Sequence, residues 1–421
     1  MKNSHEFYLI VAPGLEELAL KELRIKSLYF VAEDGQALAE TPEILEVGSG
    51  GLLLRSSLMF GLQLNFFMRL ASRVLLRLGR FHVKEFHRLE AELKKLKPEV
   101  MKYCEGPFEA KVSCSRSVLN HEKRVQETLG RVLPLVVSAS EKSGMTAQEI
   151  GQLPFCQKIY LRIDQNECDL SLDTSGEHLH RRGWRQQHSG APLRETLAAA
   201  LVRLLCQGHS PTYLSQVCLM DPFIGSGTLL REFAERDQPL LSPRSFLRWK
   251  AIPKLLKSEH FSSNILKSSL PEESVTASSP ESGSLVGFDF DSEALRLSEQ
   301  HLRSLVPQLI PSLQLIDWNW AGGLPRDPFS AELMNSKPAS SAPKWAVLNP
   351  PYGDRKEQNF NLKQMLEDWT EAFQIERLAI ALPVRQDQIM SPVKWTVLQR
   401  LETSNGGIPV SLTVWERKQS G

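Results

Sequence analysis

The spacing of apolar and polar residues divides the chain into two stretches of different character. Near the start, EFYLIVAP has the apolar continuity of a strand and GLEELALKELR spaces its leucines along one helical face. LEVGSGGLLLRSS then reads as two strands around glycines, and SLMFGLQLNFFMRLAS returns to helix. These pieces predict a compact α+β unit. KIYLRID and the alternating CDLSLDTSG add strands further on. After Ser189 the rhythm changes. APLRETLAAALVRLLCQG predicts a helix, and SQVCLMDPFIGSGTLLREFAER, LVGFDFDSEALRLSEQHLRSL, LQLIDWNW and KWAVLNPPYG each run an apolar strand into an acidic or amide residue. Repetition of that unit predicts a parallel α/β sheet whose strand C-termini face a ligand. LAIALPVRQ and IPVSLTVWERK supply two more strands. Between the first two units, residues 256–284 hold 10 serines in 29 positions, the composition of a low-complexity insertion.

With 421 residues the chain is too long for one ordinary core, so two or three domains are expected. Fifty Lys+Arg against 49 Asp+Glu leave a net charge of +1, so any nucleic-acid binding depends on where the charges sit. Residues 66–131 carry 15 basic and 8 acidic side chains, an excess of 15 − 8 = +7. That excess fits a nucleic-acid surface or a solvated helix face equally well. In HLHRRGWR, Arg181, Arg182 and Arg185 surround Trp184, a mixture suited to phosphate contact plus base stacking on RNA; a hinge with Trp184 buried explains it nearly as well. The six cysteines stand singly, with neither zinc spacing nor disulfide density, which fits a reducing compartment and predicts no metal. No apolar run suits a signal peptide or approaches the roughly 20 residues of a membrane span, so a cytoplasmic chain without a membrane partner is expected.

The strand ends narrow the chemistry. DPFIGSGTLL is a strand-to-helix glycine turn lacking the lysine of a Walker A loop and the full G-x-G-x-x-G pattern; taken alone, it is a packing turn about as often as a ligand turn. In GFDFD, Asp289 is placed to accept two ribose hydroxyls, while Asp291 can cap the following helix. Asp317, closing LIDWNW, is placed to accept from an adenine amino group. Glycines, a ribose acceptor and a purine acceptor in that order point to an adenosine-containing cofactor.

LDTSGEHLHRRGWR, SGAPLRETLAAALV, DPFIGSGTLL, GFDFD and NPPYGDR together resemble, in order, the THUMP-domain class I S-adenosyl-L-methionine-dependent RNA guanine-N2 methyltransferases, especially the N-terminal half of the 23S rRNA enzymes. The resemblance covers nearly the whole chain outside the serine-rich insertion. Because the sequence ends soon after VWERK, the resemblance does not extend to the second methyltransferase domain that some fused rRNA enzymes carry. It implies a ferredoxin-like part over 1–65, a THUMP-like RNA-binding domain over 66–180, a connector at 181–190 and a Rossmann-like methyltransferase domain over 191–421. It further implies that Asp221, Gly225 and Gly227 line the methionine side of S-adenosyl-L-methionine, Asp289 its ribose and Asp317 its adenine. Pro192, Arg194 and Thr196 would lie in the helix segment covering the pocket.

The family's NPPY motif falls on Asn349, Pro350, Pro351 and Tyr352. Guanine N2 is a poor nucleophile because its lone pair is delocalised into the ring. The Asn349 side-chain oxygen and the Pro350 carbonyl would accept its two hydrogens and aim the lone pair at the sulfonium methyl, with Tyr352 stacking on a base rotated out of its helix. The expected partner is RNA, with 23S rRNA favoured over tRNA and ribosomal precursor particles a candidate form of the substrate. Adenine N6 is the alternative target atom, and an RNA-binding ribosome assembly factor is the non-enzymatic alternative.

Overall fold

The computed structural model describes residues 4–136, 156–182, 193–257, 283–305, 313–318, 342–351 and 361–418, apart from positions 33, 35, 49, 241, 243, 387, 388 and 392. Most of the serine-rich segment, together with Trp184, Arg185, Pro192 and Tyr352, therefore lies outside the described residues. The chain forms two units. One comprises Met1–Val11, Ala19–Leu179 and Leu240–Ile265, and the other Ala12–Leu18, His180–Pro239 and Leu266–Gly421.

The first unit begins β1 (Ser4–Val11), α1 (Glu16–Lys26), β2 (Glu43–Gly48), β3 (Gly51–Ser57), α2 (Leu58–Phe67) and β4 (Ala71–His82). With strands in the order β2-β3-β1-β4, all antiparallel, these elements make the split β-α-β pattern of a ferredoxin-like unit. Its fourth strand thus lies beyond the boundary expected at residue 65. The sheet continues through β7 (Glu167–Asp173) and β6 (Gln157–Asp164) to β5 (Phe108–Ser115), so the two segments expected as separate domains share seven strands. Helices α3 (Phe86–Tyr103) and α4 (Glu122–Gly130) belong to the later part. Phe30, Phe60 and Phe67 cluster beneath β1, with ring centroids 4.7 and 5.2 Å from Phe30.

The basic stretch reads differently once folded. RLASRVLLRLGRFH contains β4, a central strand, and its cations meet acids from far along the chain. Arg73 pairs with Asp173, Arg77 and Arg80 with Asp169, and His82 with Glu167. Arg73 and Arg77 side chains are nearly buried, so these cations are neutralised by tertiary pairing and are not part of a solvated cationic face.

The second unit is built on β8 (Cys218–Asp221), β9 (Ser284–Asp289), β10 (Leu313–Asp317), β11 (Lys344–Leu348), β12 (Arg377–Pro383), β13 (Trp395–Asn405) and β14 (Ile408–Arg417), with helices α5 (Glu195–Cys206), α6 (Thr228–Ala234), α7 (Ser292–Arg303) and α8 (Leu362–Ala372). Sheet order is β10-β9-β8-β11-β12-β14-β13. The first five strands run parallel and β14 runs antiparallel to both neighbours. Strand order reverses at β8, which creates a crevice at the C-terminal ends of β8 and β11. Beneath one face, Phe288 on β9 meets Trp318, Trp369 and Phe373 edge-on at 5.8, 6.0 and 5.4 Å; this aromatic core fixes the strands whose ends form the crevice.

Candidate active site

Four strand ends supply the site. β8 ends at Asp221, which is buried, and its Oδ1 accepts from the Phe223 N–H at 3.0 Å, turning the chain sharply out of the sheet. The turn crosses the neighbouring strand, where the Ile224 N–H donates to the Phe288 carbonyl at 3.0 Å. That crossing is tight: a Cβ on Gly287 would lie 2.1 Å from Ile224 Cδ1. Gly287 was not assigned a role from sequence, although a glycine inside an apolar strand is the available signal for close approach. The loop then reaches Gly225 (φ +49°) and Gly227 (φ +77°), both left-handed, and Gly227 precedes α6.

Asp289 ends β9 and ties the turn down. Its Oδ2 accepts from the Gly225 N–H at 3.0 Å and its Oδ1 from the Asp291 N–H at 3.1 Å. With the Phe290 N–H also acting on it, the carboxylate keeps acceptor capacity for a ligand hydroxyl. Asp291 is the N-cap of α7 and accepts from the Glu293 N–H at 2.9 Å, separating the two acids as expected. Asp317 lies opposite Asp289 in the β9/β10 register and is exposed. Asn349 follows β11. Its Oδ1 is buried and has no hydrogen-bond partner among the described residues, while Pro350 is buried and Pro351 exposed.

Electrostatically the crevice is acidic. Burial pushes Asp221 up to about 8, opposed by the Phe223 N–H and reinforced by the charge of Asp289. Burial also raises Asp289, partly offset by the Asp291 and Gly225 N–H groups. Among the described residues, Asp221 Oδ2, like Asn349 Oδ1, has no hydrogen-bond partner. Orphaned acceptors at adjacent strand ends suit a ligand carrying positive charge and N–H donors.

The remaining sequence candidates are placed as follows. Arg194 is exposed at the N-cap of α5, its carbonyl accepting from Leu197 and Ala198, and Thr196 is buried in the first turn. Arg181 is exposed. Arg182 is not a surface phosphate ligand: its Nε donates to Glu232 Oε1 at 3.1 Å, with side chains 2% and 0% exposed. Its charge is neutralised inside the second unit, which corrects the expected RNA-facing set.

A reversed-order parallel sheet, an antiparallel penultimate strand in space, a glycine turn and acidic strand ends define a class I S-adenosylmethionine-dependent methyltransferase domain. Residues 182–379, just under half of the chain, match the family model described as UPF0020, RMKL-like methyltransferase domain. The chain is 31% identical over 236 residues to a ribosomal RNA large subunit methyltransferase K/L of Ectopseudomonas mendocina, covering 56% of this chain and 30% of that protein. It is 22% identical over 438 residues to the protein of the same name from Colwellia psychrerythraea, covering 98% of this chain and 53% of that one. The chain thus spans about half the length, or less, of these curated relatives. A Listeria monocytogenes structure described as a "predicted N6-adenine-specific DNA methylase" superposes with a TM-score of 0.69 at 20% identity, over 98% of this chain and 96% of that one, which shows a shared fold. The cofactor of this family fits the residues present, because the glycine turn leaves bare backbone beside Asp221 and Asp289 and the unpartnered Asp221 Oδ2 suits a cation. Among the described residues no helix is long and apolar enough to cross a membrane.

Proposed function

We propose that this chain transfers the methyl group of S-adenosylmethionine to the exocyclic N2 of a guanine in 23S rRNA. The observation carrying this reading is the buried, unpartnered Oδ1 of Asn349 at the end of β11, next to the switch point of the sheet. An exocyclic amine entering there donates one hydrogen to Asn349 Oδ1 and the other to the Pro350 carbonyl. Both acceptors are held before the base arrives, because Pro350 fixes φ and is buried against the protein. Loss of both N–H directions to acceptors leaves the nitrogen lone pair facing the methyl. Bound cofactor supplies the electrophilic methyl; Asp289 and Asp317 hold its nucleoside and Asp221 with the Gly225–Gly227 turn its methionine part. Arg194 and Thr196 lie at the start of the helix assigned to cover that pocket.

Large-subunit rRNA is favoured because the curated relatives carry that activity in their names. We assign RNA holding to the ferredoxin-like and THUMP-like segments of the first unit, supported by exposed Lys84, Lys97 and Lys123, which form no ion pair among the described residues, and by exposed Arg181 in the connector.

Purified full-length chain, given labelled cofactor and rRNA from a strain lacking the corresponding gene, should produce N2-methylguanosine on nucleoside digestion. N6-methyladenosine instead would move the target to adenine, label in tRNA alone would move it to tRNA, and no label in either RNA would leave the assembly-factor reading. Asn349→Ala should lower kcat by roughly 10²–10³ while changing cofactor affinity less than about threefold. Equal loss of binding and turnover would remove Asn349 from the chemistry.

A further inference from the structure

We propose that His301 is a positioning residue for cofactor binding: its ring locks the Ser226–Gly227 peptide of the glycine turn in the orientation that receives the cofactor. The inference rests on the S-adenosylmethionine reading above. His301 lies in the last turn of α7, is 5% exposed, and its Nδ1 stands 3.0 Å from the Ser226 carbonyl oxygen. A carbonyl oxygen can only accept, so Nδ1 carries the proton and donates.

The bond matters because of what else holds the turn. Gly225 and Gly227 are both left-handed, and glycine changes the sign of φ at little cost, so the peptides around them rotate unless they are pinned. The Gly225 N–H is pinned by Asp289 Oδ2 at 3.0 Å and the Gly227 N–H by the Ile224 carbonyl at 2.8 Å. The Ser226 carbonyl and the Gly227 N–H belong to one peptide plane, so His301 and Ile224 grip opposite edges of it. Removing the His301 donor loosens one edge and strands a buried carbonyl. Helix α7 also packs on the turn directly, since a Cβ on Gly227 would lie 3.3 Å from Ser298 Cβ and 3.4 Å from Leu302 Cδ1.

His301 is itself held. Its own carbonyl accepts from Arg231 on α6 and from Ser304 Oγ at 2.7 Å, and Arg231 further donates to Ser304 Oγ at 2.8 Å and to Glu235 at 2.7 Å. One residue of α7 therefore ties the turn through its side chain and the helix that follows the turn through its backbone. Both ties are bonds within the protein, the preorganisation that a binding loop requires. In this role His301 acts through the turn and not on the reacting atoms.

The test is equilibrium titration of the full-length protein and three variants with S-adenosylmethionine, together with turnover on rRNA from a strain lacking the corresponding gene. His301→Leu keeps most of the volume and removes the donor. Its Kd should rise about tenfold, the scale of one lost buried hydrogen bond, with kcat at saturating cofactor within about threefold of wild type. His301→Asn places an amide N–H near the position of Nδ1 and should bring Kd back to within about threefold of wild type. His301→Gln places its amide near the position of Nε2 and should bind as weakly as His301→Leu. A residue that only packs would lower the melting temperature of the variants without moving the Kd of the folded protein. That result, or equal rescue by Asn and Gln, overturns the inference while leaving the cofactor assignment standing. Nitrogen NMR of the wild-type ring should show the proton on Nδ1 in the neutral form; the Nε2–H tautomer overturns the inference even if His301→Leu does not fold. Failure of wild type to bind S-adenosylmethionine at all overturns the cofactor assignment and this inference with it.

Discussion

Asp173 in the first unit and Asp221 in the second begin from the same local geometry and end in opposite environments. Each closes a strand, is buried, and accepts from the N–H two residues on, Ser175 at 2.9 Å and Phe223 at 3.0 Å. Around Asp173 the polar groups close on one another. Its carboxylate pairs with Arg73, which also donates to the Gly176 carbonyl at 2.8 Å. Thr174 and Ser175 exchange hydrogen bonds with Asn65 at 2.8 and 2.7 Å. Gln157 and Ser245 donate to the Asp173 carbonyl, and the Trp249 indole donates to Gln157 at 2.7 Å. Around Asp221 the set stays open, with an orphan oxygen and a like-charged neighbour. A closed buried network fixes a structure, whereas an open one waits for a ligand. The LDTSG motif, quoted for its family resemblance, is by this measure a packing hub of the first unit.

The contrast can be broken from either side. The largest effect is expected for Arg73→Met, which leaves Asp173 buried without its cation and should cost about 3–5 kcal/mol of stability in chemical denaturation. A loss below about 1 kcal/mol would show that the Asp173 network does not depend on the pair. Next comes Gly287→Ala. Its new methyl meets Ile224 and Leu315, and should cost about 1–3 kcal/mol and weaken cofactor binding by moving the glycine turn. Unchanged affinity would mean that the turn adapts.

The smallest effect concerns pH. Because folding raises Asp221 above its unfolded value near 4, its favourable contribution is complete below about pH 4 and is lost as pH rises towards about 8. Asp221→Asn keeps an Oδ1 acceptor and removes that loss. The free variant should therefore melt above wild type at pH 8, with the two converging near pH 4. Wild type growing more stable from pH 5 to 8 through this residue would reverse the sign and remove the argument.

The second unit was largely legible in sequence because buried parallel strands are uninterrupted apolar runs, so their polar ends at Asp221, Asp289, Asp317 and Asn349 stand out. β4 was hidden by its own arginines, whose partners Asp169 and Asp173 lie about a hundred residues away. β13, an edge strand with exposed Val397 and Leu398, carries no clean period. Arg182 misled for a related reason, since a charge beside a tryptophan looks solvent-facing until Glu232 is brought to it.

Sequence alone determined that aspartates would end these strands and turn the backbone, because an Asx turn needs only its own side chain and the amide two residues on. Which of them would be closed and which left open was decided by tertiary structure alone. Burial and the charge across the sheet, Arg73 in one case and Asp289 in the other, come from residues that neighbour the turn only after folding, and they set whether a carboxyl is already paired or still able to take a ligand.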